Sequence, residues 1–101
     1  MMALKTKKFD VADWIQTDEE ISAFLSMVLA DGDAKEISRA LGYVARARGM
    51  AQVARKAKLS RESLYRALSP NNSGNMRAST MLKLMGAMGI SLTASAAAPA
   101  A

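Results

Sequence analysis

Ser60, Arg61, Glu62, Ser63, Tyr65 and Arg66 fall within seven consecutive positions of the chain. Together they offer two guanidinium forks, two serine hydroxyls, a phenol and a carboxylate. On a helix lying in a DNA major groove, an arginine fork takes guanine O6 and N7 together, and a carboxylate accepts from cytosine N4. Hydroxyls and phenols suit phosphate oxygens as well as base edges. Tyr65 either touches nucleic acid or packs on its own helix. Glu62 reads first as a favourable charge in a helical first turn, and second as a cytosine reader. Catalytic chemistry has much less to work with. The chain has no histidine and no cysteine, which removes the imidazole base, the thiolate nucleophile and the commonest metal ligands. Asp31-Gly32-Asp33 begins like a calcium loop but lacks the later ligands, so it reads as one helix stopping and another starting. With no glycine-rich phosphate loop either, the expectation is a binding protein, not an enzyme, with no cofactor and no metal.

Those side chains need a scaffold. Met50 to Leu68 reads as two short helices joined by a turn of three to four residues, the pattern of a helix-turn-helix. Ala51 to Ala57 forms two turns that bury Val53, Ala54 and Ala57, and Ser60 caps a helix from Arg61 to Leu68 that buries Leu64 and Leu68. Ala54 sits where the helices cross and a larger side chain would force them apart. Val53, Leu59 and Leu64 fill the wedge between them. The second helix is then free to present its N-terminus and outer face to a major groove. Gln52 on the first helix joins the candidate DNA contacts, as do Asn71 and Asn72 in the loop Ser69–Asn75. Arg46, Arg48, Arg55 and Lys56 form a general basic surface.

Upstream, Asp10 caps a short turn carrying Val11, Trp14 and Ile15. Thr17-Asp18-Glu19-Glu20 is a capping box, followed by Ile21, Phe24, Leu25, Val28 and Leu29 on one helical face. Gly32 ends that helix. Asp33-Ala34-Lys35-Glu36 reads as a second box, opening a helix that buries Ile37, Ala40, Leu41, Val44 and Ala45 and closes at Gly49. Downstream, a last helix from about Ala78 to Met88 buries Met81, Leu84, Met85 and Met88, with Gly89 as its stop. The methionines at 81, 85 and 88 read as core. Ile90-Ser91-Leu92-Thr93 alternates as a very short strand does.

Length and charge bound the partners. A chain of 101 residues, 50% hydrophobic and 23% charged, is one domain with a thin core. Residues 1–33 hold three lysines against seven acids, a net of −4, whereas residues 34–101 hold eleven basic side chains against Glu36 and Glu62, a net of +9. The basic body suits a polyanion and the acidic front a basic partner. From Leu84 to Ala101 the 18 residues carry no charge, near the lower length limit of a membrane span. Glycines, serines, a threonine, a proline and many alanines make this a core helix and a loose tail instead. No targeting segment is visible at the start, so the expected location is cytoplasmic, and at the nucleoid when bound to DNA.

Asp33 to Gly89 resembles the lambda-repressor-type (XRE) helix-turn-helix domain. More specifically, Ile37–Met50 (Ile-x-x-Ala-Leu-Gly-x-Val-Ala-Arg-Ala-Arg-Gly-Met) and Leu59–Pro70 (Leu-Ser-Arg-Glu-Ser-Leu-Tyr-Arg-Ala-Leu-Ser-Pro) are similar to the probable addiction module antidote proteins. Phe9-Asp10-Val11-Ala12-Asp13-Trp14 and Thr80-Met81-Leu82-Lys83 fit the same pattern. This resemblance implies an all-α, five-helix fold and a HigA-like antitoxin encoded beside a HigB-like toxin of the RelE/ParE type. It also implies that the chain binds and neutralises that toxin and represses its own operon at operator DNA. The alternative is a stand-alone phage-type repressor without a toxin.

Three residues depart from the lambda-type pattern. Lys58 stands where the turn usually has glycine, at a cost of roughly 1 kcal/mol for a left-handed backbone. Met50 and Arg77 occupy positions where a Ser or Thr cap is common. The expected organisation is an acidic helical extension over 1–32, the helix-turn-helix domain over 33–93, and a disordered alanine-rich tail over 94–101. A short recognition helix reads few bases, so a homodimer on two half-sites is expected. An RNA-directed toxin must present a basic surface, which makes Phe9, Trp14, Ile15, Asp18, Glu19 and Glu20 the candidate toxin contacts. Trp14 either anchors that contact or covers the core.

Overall fold

The structure, a computed structural model, describes residues 11–69 and 75–97. Among the described residues a 3-10 turn at Val11–Asp13 precedes five helices: α1 (Asp18–Asp31), α2 (Ala34–Arg48), α3 (Met50–Ala57), α4 (Arg61–Ala67) and α5 (Ala78–Ala87). The fold is all-helical, and among the described residues no strand forms. Ile90 to Thr93 therefore departs from the expected short strand. Alternation supplies a strand's two faces but not the hydrogen-bonding neighbour that a ladder requires.

The α1 start follows from its first four residues. The Thr17 hydroxyl accepts from Glu20 N–H at 3.1 Å, and the Glu20 carboxylate accepts from Thr17 N–H at 3.1 Å and Gln16 N–H at 2.8 Å. At α2 the reciprocal box does not form. The Asp33 carboxylate caps through Lys35 N–H at 3.0 Å, while Glu36 pairs with Arg39 one turn on at 3.1 Å. Asp33 is thus a one-sided cap. The cap position of α3 falls to Gly49 (φ 102°) and not to Met50, which is the first helical residue; neither Gly49 nor Arg77, which precedes α5, supplies a side-chain cap.

The core gathers one face from every helix: Ile21 and Leu25 from α1, Ala40, Leu41, Val44 and Ala45 from α2, Val53, Ala54 and Ala57 from α3, Leu64 from α4, and Leu84 and Met85 from α5, with Met88 just beyond it. Each fully buried Leu, Val or Met contributes about 1.5–3 kcal/mol relative to exposure. Phe24, Val28, Leu29, Ile37, Leu68 and Met81 are half-buried around them. Ile15 joins the core at 4% exposure, so the segment ahead of α1 is packed against the domain. The Arg48 guanidinium at the end of α2 pairs with Asp18 at the start of α1 at 2.5 Å.

Two helices end by the same device. After α3, Leu59 N–H donates to Ala54 C=O at 2.9 Å and Lys58 N–H to Arg55 C=O at 3.2 Å. After α5, Ile90 N–H donates to Met85 C=O at 2.8 Å and Gly89 N–H to Gly86 C=O at 3.1 Å. Both are Schellman motifs, in which the pivot residue must be left-handed. The pivots are Gly89 (φ 77°) and Lys58 (φ 60°), and Lys58 is the one non-glycine with positive φ among the described residues.

Candidate nucleic-acid and partner interfaces

Helix α4 is positioned by its N-terminal cap and by one buried side chain at its centre. Ser60 accepts from Ser63 N–H at 2.9 Å, and the two serine hydroxyls bond each other at 2.9 Å. Leu64, fully buried, fixes the inward face. Helical geometry then turns Glu62 and Arg66 to the face opposite Leu64 and Tyr65 to its flank, while Arg61 stands in the first turn on Leu64's own side; all four are exposed. Arg66 and Glu62 approach to 3.9 Å with both side chains largely in solvent, a pair of little energy that leaves the arginine fork available. Ser60 and Ser63 serve as the cap first, and any DNA contact they make comes second.

The remaining candidates separate in space. Gln52 is exposed on α3, but it lines a polar pocket of about 240 Å³ with Asp18, Arg48, Lys56 and Gly89, and no residue of α4 lines that pocket. Asn71 and Asn72 lie outside the described residues, as does Phe9. Two of the four arginines and lysines assigned to a general basic surface are engaged by the fold. Arg48 is tied to Asp18, and the Arg46 guanidinium stands 5.1 Å over the Tyr43 ring, whose centroid is 6.3 Å from that of Phe24. Arg55 and Lys56 are exposed.

At the acidic end, Trp14 is 67% exposed while its neighbour Ile15 is buried. Ile15 is therefore a core residue that offers no contact surface, and Trp14 does not cover the core. Asp18, Glu19 and Glu20 are exposed in the first turn of α1. The Thr17 and Gln16 backbone N–H groups hold the Glu20 carboxyl below its ordinary value of 4.5, because hydrogen bonds to the charged form favour it. From these acids a shallow depression of about 550 Å³ runs along α1, lined by Asp18, Glu19, Ser22, Ala23 and Ser26. Sequence reasoning passes over Met27, which is 66% exposed on the same helix. The only signal for it is its place off the apolar stripe. Among the described residues, no group of three or more acidic, His or Cys side chains could hold a metal ion, and no helix is long and apolar enough to cross a membrane.

Comparison with known proteins gives these two surfaces a context. The family model described as "Probable addiction module antidote protein" matches residues 5–96. An uncharacterized protein of Haemophilus influenzae is 43% identical over 89 residues, which cover 88% of this chain and 90% of the relative. No solved structure matches the chain.

Proposed function

The chain belongs to the probable addiction module antidote protein family, and from that membership we propose that it is the antitoxin of a type II module, binding and neutralising a small basic toxin of the RelE/ParE type and repressing its own operon as a dimer on operator DNA. The observation that carries the operator half is α4, capped by Ser60 and buried at Leu64, with Arg61, Glu62, Tyr65 and Arg66 exposed. Such a helix docks its N-terminal residues against base edges, while flanking cations such as Arg55 and Lys56 take phosphates. The toxin half is supported by a different surface. Trp14 supplies an exposed aromatic anchor, a residue type that often dominates interface energy at about 2 kcal/mol or more. Asp18 and Glu19 supply charge of the sign that a basic, RNA-gripping partner would meet. The protein acts by binding, in the cytoplasm and at the nucleoid.

Two measurements test this reading. The chain is co-expressed with the protein encoded beside it and purified through one partner, and the complex is then titrated onto duplex DNA from upstream of the operon. Co-purification with a specific shift is expected. A shift without co-purification makes the chain a stand-alone repressor. Co-purification without a shift removes the operator function.

A further inference from the structure

We infer that the outer face of α1 receives a basic amphipathic helix of the toxin, seated over the uncharged turns between Glu19 and Asp31. That the partner is a toxin rests on the reading above; which face meets it rests on α1 itself. A helix lying on a soluble domain ordinarily turns charged side chains to water. Helix α2 does so with Lys35, Glu36, Arg39 and Arg46. Helix α1 does not. Ser22, Ala23, Ser26, Met27 and Ala30 are all exposed, and no charge falls between Glu20 and Asp31. Met27 stands 66% exposed, and Trp14, just ahead of the helix, 67%.

The shape suits a second helix. Small side chains leave the shallow depression of about 550 Å³ that runs along α1 from Asp18 to Ser26, and Met27 borders it one helical turn beyond Ala23. Small contact residues let two helix axes approach to the close end of their usual separation, about 8 Å. A helical serine can satisfy its hydroxyl on the carbonyl one turn back, so Ser22 and Ser26 do not resist burial. An amphipathic helix then lays its apolar face against such a groove.

Charge selects the occupant. Every ionisable residue from Asp10 to Asp33 is acidic, so the face ends in acids on both sides, Asp18 and Glu19 at one and Asp31 at the other. A second copy laid on this face, parallel or antiparallel, brings acids to acids wherever the ends meet. A helix with an apolar middle and a Lys or Arg near each end, about 18 Å apart by helical rise, meets both ends with opposite charge.

Calorimetry of the full chain with the protein encoded beside it, across a salt series, tests the proposal. Met27→Lys should raise the dissociation constant by about 30-fold, the loss of a hot-spot residue. Ser26→Arg should do as much, through bulk and charge together. Met27→Glu removes the same apolar contact but brings the attracting sign, so it should lose clearly less at low salt, with the gap closing as salt rises. Circular dichroism and the operator shift should be unchanged in all three, since both positions are exposed. A photo-cross-linking residue at position 27 should label toxin positions three or four apart. Labels at alternate positions make the occupant a strand and overturn the helix. Wild-type affinity in Met27→Lys and Ser26→Arg overturns the face, and equal losses from Met27→Lys and Met27→Glu at low salt overturn the basic occupant. A wild type that self-associates alone, and stops in Met27→Lys, puts a second copy on α1 and overturns it too. A wild type that binds no neighbour-encoded protein removes the toxin reading itself, which no failure of the variants does.

Discussion

Helices α1 and α4 are specified in opposite ways. The fourteen residues of α1 carry a complete capping box, three acids in the first turn and a left-handed glycine at the end. Each of these satisfies backbone groups or the helix dipole locally. The seven residues of α4 are far too few to hold a helix alone in water. One serine cap and the burial of Leu64 hold it in place. Charge divides them as well. All four ionisable residues of α1 are acidic, whereas α4 carries Arg61 and Arg66 against Glu62. A locally specified acidic helix and a tertiary-held basic one can therefore serve two partners of opposite charge on one core.

The largest effect should come from breaking the tertiary hold. Leu64→Ala is expected to destabilise the chain by about 2–5 kcal/mol in urea unfolding, from lost transfer energy and the cavity left behind. The same truncation at half-buried Leu29 of α1 should cost clearly less. Equal losses would show that α1 depends on the core as much as α4 does.

Function should divide along the same line. Arg61→Ala and Arg66→Ala should each weaken operator binding by about 1–3 kcal/mol per half-site and relax its sequence preference. Arg55→Ala and Lys56→Ala should act evenly across sequences and lower the salt slope by about 0.9 for each phosphate no longer neutralised. Trp14→Ala should cost toxin binding about 2 kcal/mol and leave the gel shift unchanged. A Trp14 variant that loses both partners equally would mean that the two surfaces are not separate. Truncation of residues 1–16 is the blunter test, because it removes Ile15 and Ala12 from the core.

The α1 cap offers a finer break. Thr17→Ala should lower stability by about 1 kcal/mol. Alanine keeps the Thr17 and Gln16 backbone N–H groups, so the Glu20 carboxyl should stay below its ordinary value, readable by carboxyl-carbon NMR. In the folded chain that carboxyl titrates below 4.5, so its stabilisation is complete above the unfolded value and is lost as pH falls through the folded one. Glu20→Gln should accordingly flatten the acid limb of the stability profile. An unchanged limb would leave the reciprocal box without energetic weight.

How much of this is legible in the sequence follows from the same contrast. The Thr17 box, the Gly32 and Gly89 stops, the Ser60 cap and the buried stripes of α2 and α3 are local patterns, and they stand where the sequence puts them. The Asp33 box forms only by half, because Glu36 finds Arg39 one turn on and a sequence motif does not rank competing partners. Ile15 and Trp14 are adjacent and both apolar, and only the packing decides that one enters the core and the other does not. Arg48 reads as surface charge because its partner Asp18 lies thirty positions away. The outward placing of Glu62 and Arg66 is legible because a buried Leu64 and a cap at Ser60 leave a short helix few ways to turn, while Arg61 is exposed by its place in the first turn.

The smallest effect concerns the turn that joins α3 to α4. The motif ending α3 is the one ending α5, with the same two backbone hydrogen bonds, yet its pivot is Lys58 where α5 has Gly89. A left-handed backbone costs a side-chain-bearing residue about 1 kcal/mol or more. Glycine escapes that cost but loses more chain entropy on folding. Lys58→Gly should therefore stabilise the chain by somewhat under about 1 kcal/mol, a rise of a few degrees in thermal midpoint for a domain of this size. Gly89→Ala is the mirror experiment. A Cβ there meets nothing within 4 Å, so its loss, of about the same size and opposite sign, reports backbone strain net of the chain-entropy gain, with no steric contact added. Lys58 is exposed and lies two residues before the Ser60 cap. If Lys58→Gly gains stability while operator binding loses salt dependence, the strain is the cost of holding a cation beside the DNA backbone. If binding is unchanged, the lysine is only an imperfect glycine, and α4 is positioned by Ser60 and Leu64 without it.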